Sequence, residues 1–354
     1  MKLSQILGAS GLAPLVSACL LPGEETGDGS HHLYRRQESG DTGFPIGSGD
    51  RFEGGAKFPR GLGTQEPGAQ LDSLLSVKEI ESAMKGLVNE YGIETFTMPY
   101  TTYENATMFG GKVGGRGKCS EAYHVYFNGA IHARERGSPD NLLYFISNLP
   151  RNSSSEAFSG ASAFSEPETR NIKWVMDYFP KIRWYHDLHS FAGVVLYSWG
   201  SDENQARRPG MNFLNSTYDA VRGLIPDDPS AGIVYGEYTP STDWSENVYA
   251  AMRTGNAMDA ATGRHYEVQQ AAYLYPTSGA SDDYSYSRHF AYPGLNLVHE
   301  FTVEFGFGDE NATCPFYPTA EQYHLNMLET GAGYMEFLMA STEIGLGDEV
   351  ACSL

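Results

Sequence analysis

Three residues of this chain have the types and spacing of a divalent metal site. His132 and Glu135 stand three positions apart in the segment NGAIHARERGSPDN (128–141), directly after an apolar run, and His189 ends another apolar run. Two histidines and one carboxylate, with a further position left for water, are a common ligand set of catalytic zinc. A lone His-x-x-Glu pair arises easily by chance, and His189 alone is more often a core residue. The hypothesis therefore depends on all three residues meeting.

Glu304 is the candidate general base for such a site. It lies between two apolar residues in the strand-like segment FTVEFG, where a carboxylate is costly unless it is paired or functional. A salt-bridged strand residue is the alternative interpretation of Glu304. Asp187 is spaced to orient the imidazole of His189, whereas His186 is interpreted as a core residue.

The segments that must position these residues alternate between strand and helix patterns. Strands are predicted at 122–131 (as a central strand), 182–190, 193–199 and 295–306, and helices at 76–92, 139–149, 165–178, 204–223, 243–262 and from 319 onward. This alternation predicts an α/β fold, a three-layer α/β/α sandwich with a mixed central β-sheet. Ligands gather at the carboxyl ends of strands in such sheets, and the three predicted strand ends carry His132, His189 and Glu304.

Composition divides the chain into three predicted regions. Residues 1–18 combine a lysine, an apolar stretch and a small-residue exit, which is typical of a secretory signal peptide. Residues 19–70 are rich in Gly, Pro, Ser and charged residues, which predicts a propeptide or disordered N-terminal segment with a dibasic processing site at Arg35-Arg36. Residues 71–354 are long enough to form one catalytic domain around a single core.

Charge and sequence motifs narrow the expected partners and compartment. The net charge is −20 and there is no basic stripe, so neither nucleic acid nor an anionic membrane is an expected partner. A secreted, extracellular monomer is expected, and four N-x-S/T sequons agree with secretion, at Asn105, Asn152, Asn215 and Asn311. Cys19 follows the predicted cleavage site, which leaves an odd set for pairing, namely Cys119, Cys314 and Cys352.

Four motifs in a fixed order carry a family resemblance. They are GAIHARE (129–135), DLHS (187–190), LYPTSGASDDYSY (274–286) and FTVEFG (301–306). In this order the chain resembles the zinc metallocarboxypeptidases of the pancreatic carboxypeptidase A and B type, from about Leu71 to Ile344. The resemblance implies the fold of that family and hydrolysis of the C-terminal peptide bond of peptides and proteins, with one Zn²⁺ per chain.

The resemblance also implies roles for the matched residues. By it His132, Glu135 and His189 bind zinc, and Glu304 is the general base that takes a proton from the attacking water. Three further residues match substrate-binding positions of the family. Arg134 matches an arginine that contacts the substrate, and Tyr275 matches a mobile tyrosine that closes over the C-terminal residue. Asp282 matches the residue at the base of the specificity pocket. An aspartate there implies a preference for C-terminal Lys or Arg. Capping of a loop is the alternative interpretation of Asp282.

The interval between Glu135 and His189 departs from the family pattern. It holds 53 residues, from 136 to 188, whereas the family has a longer interval. That interval carries a Trp-Arg-Lys segment, whose arginine stabilises the oxyanion, and an Asn-Arg-Asn motif that holds the substrate carboxylate. Arg151-Asn152 is the nearest match, with Pro150 where asparagine is expected, which predicts an internal deletion near residues 149–153.

Three interpretations follow from this departure. The first is an active metallocarboxypeptidase. The second is a catalytically impaired or inactive secreted domain that lacks the oxyanion and carboxylate-binding arginines. The third is a zinc-dependent acylase or deacylase on the same scaffold, against which Tyr275 and Asp282 count.

Overall fold

The computed structural model describes residues 44–61, 71–102, 105–113, 123–132, 135, 137–148, 167–277, 279–307, 316 and 318–347. Several predicted features lie outside the described residues, namely the signal peptide, Arg35-Arg36, Arg134, Pro150, Arg151, Asn152, Asn311 and the four cysteines. Among the described residues, no helix combines the length and the apolar character needed to cross a membrane.

Helices and strands alternate along the described residues. The helices are α1 (Val77–Tyr91), α2 (Gly137–Asn148), α3 (Pro167–Tyr178), α4 (Ser241–Thr262), α5 (Ala271–Leu274), α6 (Ser281–Ala291) and α7 (Ala320–Ile344). The strands are β1 (Glu94–Thr97), β2 (Phe109–Lys112), β3 (Val125–Gly129), β4 (Trp184–His189), β5 (Val194–Tyr197), β6 (Asn204–Gln205), β7 (Glu237–Tyr238), β8 (Glu267–Gln270) and β9 (His299–Glu304). The four predicted strands contain β3, β4, β5 and β9.

Among the described residues, one five-stranded sheet organises the molecule, with strand order β3-β4-β9-β5-β8. Strands β3, β4 and β9 run parallel to one another, β5 is antiparallel to β9, and β8 is parallel to β5. The sheet is therefore mixed, as predicted. Strand β3, which is predicted to be central, lies at one edge of the described sheet.

Helices cover both faces of this sheet, which confirms the three-layer architecture. Successive residues of a strand point to opposite faces, so each strand contributes to two cores. The first core joins the sheet to α2, α4 and α7 and includes Phe127, Leu142, Trp184, Val195, Ala250, Phe301 and Phe337. The second core joins it to α3 and includes Tyr126, Ile172, Val175, Met176, Tyr185 and Val298.

Side-chain caps fix the beginnings of two helices that the sequence predicts. The hydroxyl of Ser76 accepts the backbone N–H of Glu79, and the carboxylate of Glu79 accepts the N–H of Ser76, so α1 begins at Val77. Gly92, with φ +65°, ends α1 in the left-handed conformation that glycine adopts without steric cost. Thr319 and Gln322 form the same reciprocal pair before α7.

The helix predicted at 204–223 is wrong. These residues form β6, turns and a short 3₁₀ segment at Ser216–Tyr218. Amide oxygens of the segment bind nearby backbone N–H groups in place of a helical ladder, with Gln205 accepting from Arg208, Asn212 from Leu214 and Asn215 from Thr217. Such local bonds compete with helix formation. The helix predicted at 243–262 is confirmed as α4.

Residues 44–61, which the sequence assigns to the N-terminal segment, pack against the domain. Phe44 and Phe52 are buried in a core with Leu74 and Leu87. Arg51 forms an ion pair with the buried carboxylate of Glu79, with Nε 2.9 Å from Oε1. The folded body therefore includes these residues, and their assignment to a propeptide stays a prediction.

Candidate metal centre

The candidate site lies at the carboxyl ends of the parallel strands of the sheet. Strand β4 ends at His189, and its register partner Glu304 ends β9. Strand β3 ends at Gly129, three residues before His132, and the turn that follows leads to Glu135. Because neighbouring parallel strands have their carboxyl ends on the same side of the sheet, the segments that leave those ends are brought together. The predicted convergence of the three strand ends is found in the structure.

A tight turn after β3 brings His132 and Glu135 together. The backbone N–H of Glu135 donates to the carbonyl of His132 at 2.9 Å, and α2 begins two residues after Glu135. Ala130, where the chain leaves β3, has φ +65°. This left-handed conformation is uncommon for a residue that carries a Cβ, and it is found where the surrounding structure holds it, often at functional sites.

The three predicted ligands offer atoms that fit a single zinc ion. Nδ1 of His189 lies 3.2 Å from Oε2 of Glu135, and Nε2 of His132 lies 3.8 Å from Oε1. One ligand atom from each of the three residues lies within 4.8 Å of the others. Tetrahedral ligands at zinc-binding distances are separated by about 3.3 Å, so the arrangement is close to what zinc requires.

The carboxylate of Glu135 supports the same conclusion. Its Oε2 atom is buried, and Nδ1 of His189 at 3.2 Å is the polar atom that approaches it within the described residues. A buried carboxylate oxygen without a donor is costly. A metal ion bound between Glu135 and the two histidines would satisfy it.

Asp187 orients the ring of His189, as the sequence predicts. Nε2 of His189 faces Oδ2 of Asp187 at 3.5 Å, while Nδ1 faces Glu135. Asp187 is itself held by the hydroxyl of Tyr185 at 2.8 Å and by the amide of Asn128. Burial alone would lower the pKa of His189, but the carboxylates of Asp187 and Glu135 outweigh it and raise that pKa well above its ordinary value. A carboxylate behind a metal-binding histidine fixes its tautomer and orientation.

His186 has the core role that the sequence predicts. It points to the opposite face of the sheet, where its ring packs against Phe127, Tyr334 and Phe337. Burial lowers its pKa to about 3, so the ring stays neutral. His186 therefore belongs to the hydrophobic core.

The other predicted site residues lie near the carboxyl ends of the same strands or outside the described residues. Glu304 is half-buried at the end of β9, beside His189. Tyr275 directly follows α5 and is 60% exposed, so its ring is accessible to a ligand. Arg134 lies outside the described residues.

Asp282 is buried in the first turn of α6. Its Oδ1 accepts the backbone N–H of Asp283 at 2.8 Å, and burial raises its pKa to about 6. A Cβ built on Gly200 would lie 2.9 Å from Oδ2 of Asp282 and 2.5 Å from Oγ1 of Thr277. Asp282 and Thr277 therefore pack directly against the backbone of Gly200, where a side chain would collide with them. Oδ1 of Asp282 accepts a backbone N–H, and Oδ2 faces Gly200.

Glu300 is a buried carboxylate near the site that sequence reasoning did not select. It lies four residues before Glu304 in β9, and residues separated by an even number in a strand share one face. The hydroxyl of Ser281 lies between Glu300 and Asp187. The period-two pattern of EFTVE was the signal that could have identified this position.

Comparison with known proteins finds carboxypeptidases among the similar sequences and folds. A carboxypeptidase B of Helicoverpa zea is 39% identical over 49 residues, which is 14% of this chain and 11% of that protein. The crystal structure of carboxypeptidase A from Helicoverpa armigera is similar with a TM-score of 0.54 at 15% identity, covering 77% of this chain and 74% of that one. Thrombin-activatable fibrinolysis inhibitor has the same TM-score and identity, with 77% of this chain and 75% of that chain covered. These structures share the fold.

A family model extends the comparison along the sequence. The model described as zinc carboxypeptidase matches residues 150–331, which are 182 of the 354 residues and so more than half of the chain. The matched range contains His189, Tyr275, Asp282 and Glu304, and the turn with His132 and Glu135 precedes it. The chain belongs to the zinc carboxypeptidase family.

Proposed function

We propose that the chain is a secreted zinc-dependent carboxypeptidase. It hydrolyses the C-terminal peptide bond of peptides and proteins and prefers a terminal lysine or arginine. The observation that carries this proposal is the convergence of His132, Glu135 and His189, with ligand atoms within 4.8 Å of one another at the end of parallel strands.

Each residue of the site has a proposed task. His132, Glu135 and His189 hold one zinc ion, which when bound acts as a Lewis acid and lowers the pKa of water. Glu304 takes a proton from the attacking water and later gives it to the leaving amine. The position of Glu304 beside His189 supports this role, because the register sets both side chains on one face of the sheet.

Three residues are proposed to bind the substrate. Tyr275 closes over the C-terminal residue, and its exposed ring agrees with a mobile role. Arg134 contacts the peptide and helps to polarise its carbonyl. Asp282 attracts the cationic side chain of the terminal residue, which the burial of its carboxylate supports.

Zinc binding is the first test of this proposal. Equilibrium dialysis of the full chain should find one zinc per molecule. His132→Ala and His189→Ala should each lose most of the binding, since each removes one of three protein ligands. His265→Ala is the matched control, because the side chain of His265 is 80% exposed and pairs only with Asp259 in the described part of the chain. Wild-type binding no better than that of either ligand variant refutes the site.

Peptide hydrolysis is the second test. The zinc-loaded chain should release the last residue of a peptide ending in lysine or arginine, and a chelator should stop it. The short interval from 136 to 188 favours the alternative, a zinc-binding domain that is catalytically impaired. Loss of an oxyanion donor typically costs about 10²–10³ in rate. Full zinc binding without release of any terminal residue establishes that alternative.

A further inference from the structure

Three buried carboxylates lie together on the face of the sheet that carries the metal site. Asp187 pairs in the register with Thr302 of β9, and Glu300 lies two residues before Thr302, so Asp187 and Glu300 share this face. Asp282 enters from the first turn of α6. Glu300 has 0% of its surface exposed and Asp282 has 4%.

One hydroxyl group is shared between two of these carboxylates. Oγ of Ser281, the neighbour of Asp282, lies 3.1 Å from Oδ2 of Asp187 and 3.2 Å from Oε1 of Glu300. A hydroxyl has one hydrogen to donate, so it satisfies only one of the two at a time. The other oxygen of Glu300, Oε2, is buried and has no hydrogen-bond partner in the described part of the chain. Oε2 of Glu300 is therefore a buried oxygen that no hydrogen-bond donor of the described residues satisfies.

Within the described residues, the cluster has no lysine or arginine of its own. Among the described residues, the ion pairs of Asp187, Asp282 and Glu300 include no lysine or arginine, and Asp187 pairs with His189 alone. Burial raises the pKa of Glu300 well above its ordinary value, and the charges of Asp282 and Asp187 raise it further. Burying three carboxylates beside the charge of His189 is costly. A bound cation would offset that cost.

The spacing of the cluster favours an organic cation over a metal ion. In the described residues, the group whose ligand atoms approach closely enough to hold a metal consists of His132, Glu135 and His189, and the three carboxylates form no such group. A guanidinium is planar and has five N–H donors directed outward, so it can bond carboxylates that lie on different sides of it. An ammonium is a compact point charge and reaches less far.

We infer that Glu300 acts together with Asp282 as a second specificity-determining residue, and that the pair selects a terminal arginine over a terminal lysine. Asp282 contributes Oδ2, the oxygen that does not accept the backbone N–H of Asp283, and Glu300 contributes Oε2, which has no hydrogen-bond partner in the described part of the chain. The two carboxylates come from α6 and β9, so a fork of donors suits them better than a single charge. This inference rests on the proposed function for its substrate.

Binding of a side-chain mimic tests the pocket apart from catalysis. Calorimetry of the zinc-loaded full chain should find tighter binding of butylguanidinium than of butylammonium, and tighter binding of either than of neutral butylurea. Glu300→Gln should weaken butylguanidinium binding about tenfold, because one charge-assisted hydrogen bond is lost. Glu267→Gln is the matched control, since Glu267 is an exposed glutamate of β8 in the same sheet.

The outcomes separate this inference from the proposed function. Equal binding of butylguanidinium and butylurea by the wild-type chain overturns the inference and requires no variant. Equal affinity of Glu300→Gln and wild type for butylguanidinium, with matching circular dichroism, also overturns it. Peptides ending in arginine and in citrulline give the third comparison. Equal release of arginine and citrulline overturns the inferred pocket but not the proposed hydrolysis. Binding of butylguanidinium without release of either terminal residue supports the pocket and refutes the hydrolysis.

Discussion

Glu304 and His189 are register partners in the parallel strands β9 and β4, and each is the last residue of its strand. Neighbouring strands lie about 4.8 Å apart, so the two side chains leave the sheet side by side on one face. A carboxylate beside a proposed metal ligand, at the carboxyl end of a strand, is suitably placed for proton transfer to or from a molecule bound at that metal. This relationship leads to the most direct mutational prediction.

Glu304→Gln should separate zinc binding from catalysis. We expect kcat to fall by about 10²–10⁴, because glutamine cannot accept a proton, while the zinc content stays at the wild-type level. Steady-state hydrolysis of an arginine-terminated peptide, together with metal analysis of the same sample, measures both quantities. The exposed Glu267→Gln should change neither. Wild-type kcat in Glu304→Gln would remove Glu304 from the proposed chemistry.

Asp187→Asn should weaken zinc binding although Asp187 is not a proposed ligand. Asp187 lies behind His189, with Oδ2 3.5 Å from Nε2, and fixes which ring nitrogen faces Glu135. Loss of such a carboxylate typically costs 10- to 100-fold in metal affinity. Competition with a chelator of known affinity measures the change. Tyr185→Phe, which removes one hydroxyl that binds Asp187, should have a smaller effect of the same sign.

Local sequence signals predicted much of the fold because they act over a few residues. The pairs Ser76–Glu79 and Thr319–Gln322 each lie within one helical turn, and each caps a helix that the sequence predicts. The helix prediction for residues 204–223 failed for a related reason. Its amide side chains bind local backbone groups, such as the N–H of Thr217 at Asn215, and apolar periodicity does not report that competition.

The site was predictable only where a motif carried the information. His132, Glu135 and His189 were selected by type and order, and the structure brings their ligand atoms within 4.8 Å. Glu300 was not selected, because its importance comes from the approach of Ser281 and from the strand register, which a single sequence does not contain. Contacts between distant segments depend on packing, and packing is what the periodicity of one segment leaves open.

The carboxyl of Asp140 should make the stability of the folded chain fall as pH rises. Burial raises the pKa of Asp140 from 3.8 to about 7, although the Tyr323 hydroxyl and the backbone N–H of Leu75 both donate to it. Between those two values the folded protein holds a proton that the unfolded chain has released. Stability from this group is therefore present at low pH and is lost as pH rises toward 7.

Asp140→Asn isolates that contribution. Asparagine does not titrate, so the free energy of unfolding of the variant should decrease less than that of wild type between pH 5 and about 7. Urea unfolding at several pH values in this range measures the two slopes. Asp228→Asn serves as control, because Asp228 is fully exposed and binds only local groups in its turn. Identical slopes for wild type and Asp140→Asn would contradict the assignment.

Phe52→Ala should show that residues 44–61 belong to the folded body. Phe52 is buried against a core that includes Leu74, Leu87 and Leu143, and α1 forms one wall of that core. Truncation of a buried phenylalanine leaves a cavity and typically costs about 3–5 kcal/mol. Urea unfolding of the variant and of Val77→Ala, an apolar truncation at an exposed position of α1, measures the difference. If Phe52→Ala lowered the free energy of unfolding by less than about 0.5 kcal/mol, the effect would be that of a surface substitution. Residues 44–61 would then contribute little to stability and could be removed as a propeptide without unfolding the domain.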